Sequence, residues 1–309
     1  NRTSAVDNVI IYMHHNKAAG STTKECIGKV AHTSHRHLGP VQDNMGRLNV
    51  HNLIGLNPDF THEHNLFMGG YAFGLCDEFN VSCSYFTIVR EPYERTISSY
   101  SYCRRARSDQ LCAALSAGTV SLREWALHQG SFLFRQLLFD PIFCRHFYDH
   151  TEYSNMSGFP HEFLRSKQFS SAPCWFRQKV IMSRAFNTAQ MDALLDYVLD
   201  NLENWFTVIG IVDEYDLSLA MLQEAYGGLP FHSRCSGHKI NVSDYKNMQE
   251  KASTKSNGTT MGIVDESIRE LMGDAEVRRV LEADTLVYRK ALQIFEKQKQ
   301  YFFKDLQPR

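Results

Sequence analysis

Apolar residues along the chain fall into short runs separated by stretches with helical spacing. Val9 to Met13, Leu66 to Met68, Tyr85 to Val89, Val180 to Met182 and Phe206 to Val212 are rich in Val, Ile and Phe and read as buried strands. Met191, Leu194, Leu195, Val198, Leu199 and Leu202 recur three and four residues apart, which predicts a helix with one apolar face. From Ile263 to Phe303 the pattern is helical again, with Val287, Ala291 and Phe295 on one side and Tyr288 and Leu292 beside them. The polar stretch 250 to 260 reads as a loop. Strands alternating with helices imply an α/β fold: a central, mostly parallel sheet flanked by helices.

Composition narrows this picture. A chain of 309 residues, 43% of them hydrophobic, can bury a full core, and one domain over 1–309 is expected. The formal charge of −1 argues against a surface built throughout for nucleic acid. No run of eighteen apolar residues occurs, so no segment is expected to span a membrane. The chain starts at Asn1 with no signal-like segment, and reads as a mature or trimmed form whose membrane anchor has been removed.

Cysteine usage points to an oxidising compartment. The eight cysteines include no CxxC, and two short intervals, Cys76 to Cys83 and Cys103 to Cys112, favour small disulfide loops over zinc. His32, His35 and His37 lack an acidic or cysteine companion and read as a solvated helix end, so no metal is expected. Five N-x-[ST] sequons, at Asn1, Asn80, Asn155, Asn241 and Asn257, agree with a secretory protein, and Asn80 lies between Cys76 and Cys83.

Candidate chemistry begins directly after the first apolar run. "YMHHNKAAGSTTK", residues 12 to 24, passes from a strand through small residues into a helix, a geometry that points several backbone N–H groups at one spot and suits phosphate. Lys17 precedes Gly20 here, the reverse of the glycine-then-lysine order of the GK[ST] phosphate loop, so an ordinary ATPase or GTPase is poorly supported. A second constellation, "FTIVREPYERTISSY", ends the third run. Arg90 leaves the strand, Pro92 opens a helix, and Arg95, Ser98 and Ser99 follow on it. A guanidinium and a hydroxyl, Arg90 and Ser98, make a second phosphate clamp; the structural alternative is an arginine bridging Glu91 or Glu94. Ligands of open α/β sheets bind at the carboxyl ends of the strands, where both motifs are expected.

Strand, K-x-x-G-[ST]-[ST], then about seventy residues later a strand ending R-[DE]-P-x-x-R-x-x-S-x-Y, resembles the sulfotransferases that use 3′-phosphoadenosine 5′-phosphosulfate. The segment 206 to 227 and the last helix, with Asp284, Tyr288 and Phe295, are similar to the Golgi carbohydrate sulfotransferases, nearest the heparan sulfate and uronyl 2-O-sulfotransferases. The resemblance implies a three-layer P-loop-like fold, a type II protein of the Golgi lumen, and transfer of a sulfuryl group to a glycan hydroxyl, with adenosine 3′,5′-bisphosphate as product and no metal. It assigns Lys17 to the bridging oxygen and the transferring group, and Ala18, Ala19, Gly20, Ser21 and Thr22 to the 5′-phosphosulfate. Arg90 and Ser98 match the pair that holds the 3′-phosphate, and Thr254 and Lys255 a late loop covering the nucleotide.

One departure bears on the general base. Where the 2-O-sulfotransferases carry His-x-His after the second strand, this chain has Gly69-Gly70-Tyr71, which opens room for a different acceptor, a non-carbohydrate alcohol included. His62 and His64 precede that strand and belong at its far end; His14 and His15, beside the first loop, are the better-placed candidates, with Asp77 and Glu78 reaching the site only if the following helix bends back. The basic stretch Arg104-Arg105-Ala106-Arg107 lines a groove for an acidic glycan or is a solvated helix end. A nucleotide-dependent kinase and an inactive nucleotide-binding relative are the rival readings.

Overall fold

The computed structural model describes residues 8–39, 60–106, 109–112, 115, 117–138, 174–237 and 260–304. Among these residues four strands, β1 (Val9–Met13), β2 (Leu66–Gly69), β3 (Cys83–Val89) and β4 (Phe206–Ile211), form one sheet in the order β2-β1-β3-β4, parallel throughout. Every residue of β1 and β2 is buried. Cover on both faces explains why these strands read as unbroken apolar runs and not as alternating ones. The buried polar residue of β3, Thr87, donates its hydroxyl to the Met13 carbonyl at 2.8 Å and so ties the carboxyl ends of β1 and β3 together.

The helices are α1 (Gly20–Thr33), α2 (Phe60–Glu63), α3 (Pro92–Cys103), α4 (Leu122–Gln129), α5 (Phe132–Leu137), α6 (Cys174–Ala185), α7 (Thr188–Trp205), α8 (Tyr215–Ala225), α9 (Phe231–Cys235), α10 (Thr260–Gly273) and α11 (Ala275–Phe302). α8 packs on β4 and α9, and α9 on α1, while α11 lies against β4, α3, α4, α5 and α7. Capping boxes start two of them, Ser121 with Glu124 at α4 and Asn187 with Gln190 at α7.

One expectation is corrected. Val180 to Met182 is not a strand but part of α6, whose buried Cys174, Trp175, Arg177, Gln178, Ile181 and Met182 recur at helical spacing. Three apolar residues in a row fit either period, and the flanking burial decides. The C-terminal helical stretch is broken at Asp274, whose carboxylate accepts from the backbone N–H of Glu276 at 2.9 Å and Val277 at 3.0 Å and thereby caps α11.

Both short disulfides form, Cys76–Cys83 and Cys103–Cys112, and a third joins Cys26 of α1 to Cys235 of α9 across 209 residues. No described cysteine is a free thiol. Asn80 is exposed inside the Cys76–Cys83 loop. The bonds fit an oxidising, secretory-type environment, and among the described residues no helix is long and apolar enough to cross a membrane.

Candidate functional site

The strand order reverses at β1: the chain moves from β1 to β2 on one side, then crosses to β3 on the other. The carboxyl ends of β1 and β3 therefore bound the crevice where open parallel sheets bind ligands. Met13 pairs with Thr87 at that edge, so the loop carrying Lys17 and the turn carrying Arg90 leave neighbouring strands side by side. Strands in such a pair lie roughly 4.8 Å apart.

The first loop is tightly wound. Ala18 N–H donates to the His15 carbonyl at 3.2 Å, and Lys17 and Ala19 take left-handed backbone angles, φ +70° and +58°. The first bond of α1 runs from Thr23 N–H to the Ala19 carbonyl at 2.9 Å, so the N–H groups of Gly20, Ser21 and Thr22 have no acceptor inside the helix. No acidic residue sits in the first turn of α1, which instead carries Lys24 one residue further on. The positive end of a helix dipole, beside two lysines and without a carboxylate of its own, is a place for an anion. Of the residues expected to cradle one, Ala18 turns its N–H inward to His15; Gly20, Ser21 and Thr22 open the helix.

His14 and His15 shape this loop. His15 is buried, 1% exposed, and its Nδ1 lies 3.0 Å from Gln136 Oε1. The Gln136 amide nitrogen donates to the His14 carbonyl at 2.8 Å and to the Gly70 carbonyl as well. Two carbonyl partners fix the amide orientation, so Oε1 is the acceptor and His15 carries its proton on Nδ1. Burial, reinforced by the Arg95 guanidinium, lowers the His15 pKa to about 3. Burial and the nearby Lys24 and Lys17 lower His14 to about 3. Through Gln136 the His15 ring and the His14 carbonyl are tied to the turn after β2. The Gln136 side chain lies beside Gly70, where an added Cβ would be in ordinary contact, 3.7 Å from its amide nitrogen.

The second turn leads into α3. Glu91 caps the helix by accepting from Glu94 N–H at 2.8 Å, and Pro92 is its first residue. The N-terminus of α3 is thus already satisfied by the chain's own carboxylate. Arg90 Nε pairs with Glu94 Oε2 at 3.1 Å, the structural role weighed for it, and this pair directs the guanidinium along α3. Glu94, half-buried Ser98 and half-buried Tyr102 follow at four-residue spacing and share one helix face. That stripe runs about 12 Å at 1.5 Å per residue. Arg90 stands at one end, and at the other the Lys17 ammonium lies 3.9 Å from the centroid of the Tyr102 ring. One helix face therefore has Lys17 at its Tyr102 end and Arg90 at its Glu94 end, with Ser98 between them in sequence.

Behind α3 lies a buried polar cluster. Arg95, fully buried, reaches Gln129 Oε1 at 3.4 Å; Arg135 donates to the Gln129 carbonyl at 2.6 Å; and Asp284 accepts from the backbone N–H of Leu133 at 3.1 Å and Phe134 at 2.8 Å. Burial raises the Asp284 pKa, opposed by Arg95 and by the two N–H groups at the start of α5. This cluster anchors α11 to α5 and to α3.

Other candidates fall elsewhere. His64 sits at the amino end of β2, its ring 4.6 Å from that of Phe60, and His62 lies on α2 beside it, both on the far edge of the sheet. Asp77 and Glu78 are carried to that edge too, because Cys76 is bonded to Cys83 at the start of β3; the chain after Tyr71 runs away from the site. His32 lies in the last turn of α1, with His35 and His37 just past its end. Arg104 and Arg105 are exposed just past α3, and Arg107, Thr254 and Lys255 lie outside the described residues. Tyr102 and Gln136 were not singled out by the motifs. Tyr102 carries a signal, four residues beyond Ser98 on a helix; Gln136, 121 residues from His15, carries none.

The chain matches no family model, and no curated protein sequence matches it.

Proposed function

We propose that this protein is a sulfotransferase that moves a sulfuryl group from 3′-phosphoadenosine 5′-phosphosulfate to a glycan hydroxyl by in-line displacement, on a P-loop-like fold working in the Golgi lumen. The observation that carries the reading is the α3 stripe, with the Lys17 ammonium at its Tyr102 end and the Arg90 guanidinium at its Glu94 end, at the switch point between β1 and β3. A nucleotide bearing phosphate groups at two separate positions needs two clamps.

The donor, when bound, supplies the activated sulfuryl group. Gly20, Ser21 and Thr22 offer backbone N–H groups to its 5′ end. Lys17 places a cation where charge builds on the leaving oxygen, a form of stabilisation that acts mainly on the transition state. Arg90 and Ser98 hold the 3′-phosphate and set the register of the nucleotide. His15 and Gln136 keep the loop wound so that these groups are in place before the donor arrives, which is where positioning catalysis draws its advantage.

Thermal unfolding with added nucleotide tests this reading directly. A saturating excess of adenosine 3′,5′-bisphosphate, at 100 times its Kd, should stabilise the fold by about 2.7 kcal/mol, while ATP at the same concentration should do far less. Labelled donor offered with an array of glycans and small alcohols then identifies the acceptor. Stabilisation by ATP alone would favour a kinase, and nucleotide binding without transfer to any acceptor would favour an inactive relative.

A further inference from the structure

We propose that Tyr102 is the positioning residue for Lys17, an inference that rests on the sulfuryl-transfer reading of the same site. The Lys17 ammonium lies 3.9 Å from the Tyr102 ring centroid, within the range of a cation–π contact. Lys17 is on a loop with a left-handed backbone, φ +70°, and its long flexible stem has many rotamers to lose. A ring face at one side of the ammonium removes much of that freedom.

The ring is itself held. Its hydroxyl donates to Asp109 Oδ2 at 2.7 Å, and the other oxygen of that carboxylate accepts from Leu111 N–H at 2.8 Å. Asp109 belongs to the loop closed by the Cys103–Cys112 disulfide, both of whose cysteines are buried. Tyr102 is thus gripped at its hydroxyl by a crosslinked loop and offers its face to the loop opposite. The arrangement explains why a tyrosine serves here: an aliphatic residue would fill the space but hold neither the cation nor Asp109.

Two measurements on the intact chain separate this role from simple packing. The first is the rate at which an amine-acylating reagent modifies Lys17, read by mass spectrometry without donor. The reagent must reach the Lys17 nitrogen, and a ring that covers one side of it and holds the ammonium in place slows the reaction. Tyr102→Leu and Tyr102→Met should speed labelling of Lys17 by about threefold to thirtyfold, whereas Tyr102→Phe, which keeps the face, should stay within about twofold of the parent chain. The second is transfer kinetics: the aliphatic variants should lose kcat by a similar factor with affinity for adenosine 3′,5′-bisphosphate nearly unchanged, and Tyr102→Phe should retain most of it. Tyr102→Met keeps the bulk and carries the test if Tyr102→Leu does not fold. Unchanged labelling in the aliphatic variants, or faster labelling with undiminished kcat, would overturn the role of Tyr102 alone. A parent chain that neither binds the bisphosphate nor transfers sulfuryl would overturn the reading beneath it, and this proposal with it.

Discussion

The imidazole of His14 occupies the space that a side chain on Gly20 would need: a Cβ built there would lie 1.7 Å from His14 Nε2. Gly20 is therefore required for contact and not for an unusual backbone angle. Gly20→Ala should destabilise the fold by about 1–3 kcal/mol, the range for overpacking a filled site. Adding His14→Ala should recover more than half of that loss, since the two residues share one volume and their effects should couple. Urea unfolding of the two single variants and the double variant measures this; additive losses would mean that the loop yields elsewhere.

Lys17 carries the largest predicted effect on turnover. Its ammonium lies 3.9 Å from the Tyr102 ring centroid, and on the proposed reading its removal takes away a preorganised donor. Lys17→Ala should lower kcat by about a hundredfold to a thousandfold, by analogy with the loss of one oxyanion-stabilising group. The variant should unfold at nearly the parent temperature, because half-buried Lys17 is not part of the core. Transfer from labelled donor, with circular dichroism as the control for folding, decides the point.

Sequence pattern reveals the parts of this fold in which neighbours along the chain do the work. β1 and β3 are apolar runs ended by a small-residue loop and by Pro92, so each strand and the turn after it could be read together. The face of Met191 to Leu202 repeats long enough for its period to be unambiguous. Val180 to Met182 is too short for that, and its surroundings in α6 were needed. The loop candidates were legible for the same local reason, and their adjacency depends on strand order, which no motif encodes. Gln136 bridging His14, His15 and Gly70, and Asp284 receiving the start of α5, join residues more than sixty positions apart. These contacts arise from packing of whole elements, and the local pattern holds no trace of them.

Of the three disulfides between described residues, the longest should matter most to stability. Cys26–Cys235 closes 209 residues, whereas Cys76–Cys83 closes 7. Loop-closure entropy assigns about 5 kcal/mol to the first and about 2.5 kcal/mol to the second. The paired change Cys26→Ser with Cys235→Ser should therefore lower the unfolding free energy by up to twice as much as Cys76→Ser with Cys83→Ser. It should also loosen α9 from α1, raising hydrogen exchange at both helices. Chemical denaturation of the two double variants compares them, and equal losses would show that closure length is not the controlling quantity here.

His15 makes stability depend on pH in a defined window. Burial lowers its folded pKa to about 3, against an ordinary value of 6.5 in the unfolded chain. Between those values the unfolded chain binds a proton that the native state refuses, so acid favours unfolding. The contribution of His15 is fully present above pH 6.5 and is lost progressively as pH falls toward about 3. Its slope approaches about 1.4 kcal/mol per pH unit. Half-buried His14, with a similar shift, acts in the same direction, and its partial contact with solvent reduces its share. The interval from pH 6.5 down to about 4.5 isolates the histidines, because carboxylates titrate mainly below it. His15→Gln should flatten the fall of unfolding free energy across that interval by close to one proton's slope while weakening the fold at pH 7 through loss of the Gln136 contact. Urea titrations of the parent and the variant at four pH values measure both effects, and parallel curves would show that His15 does not titrate on unfolding.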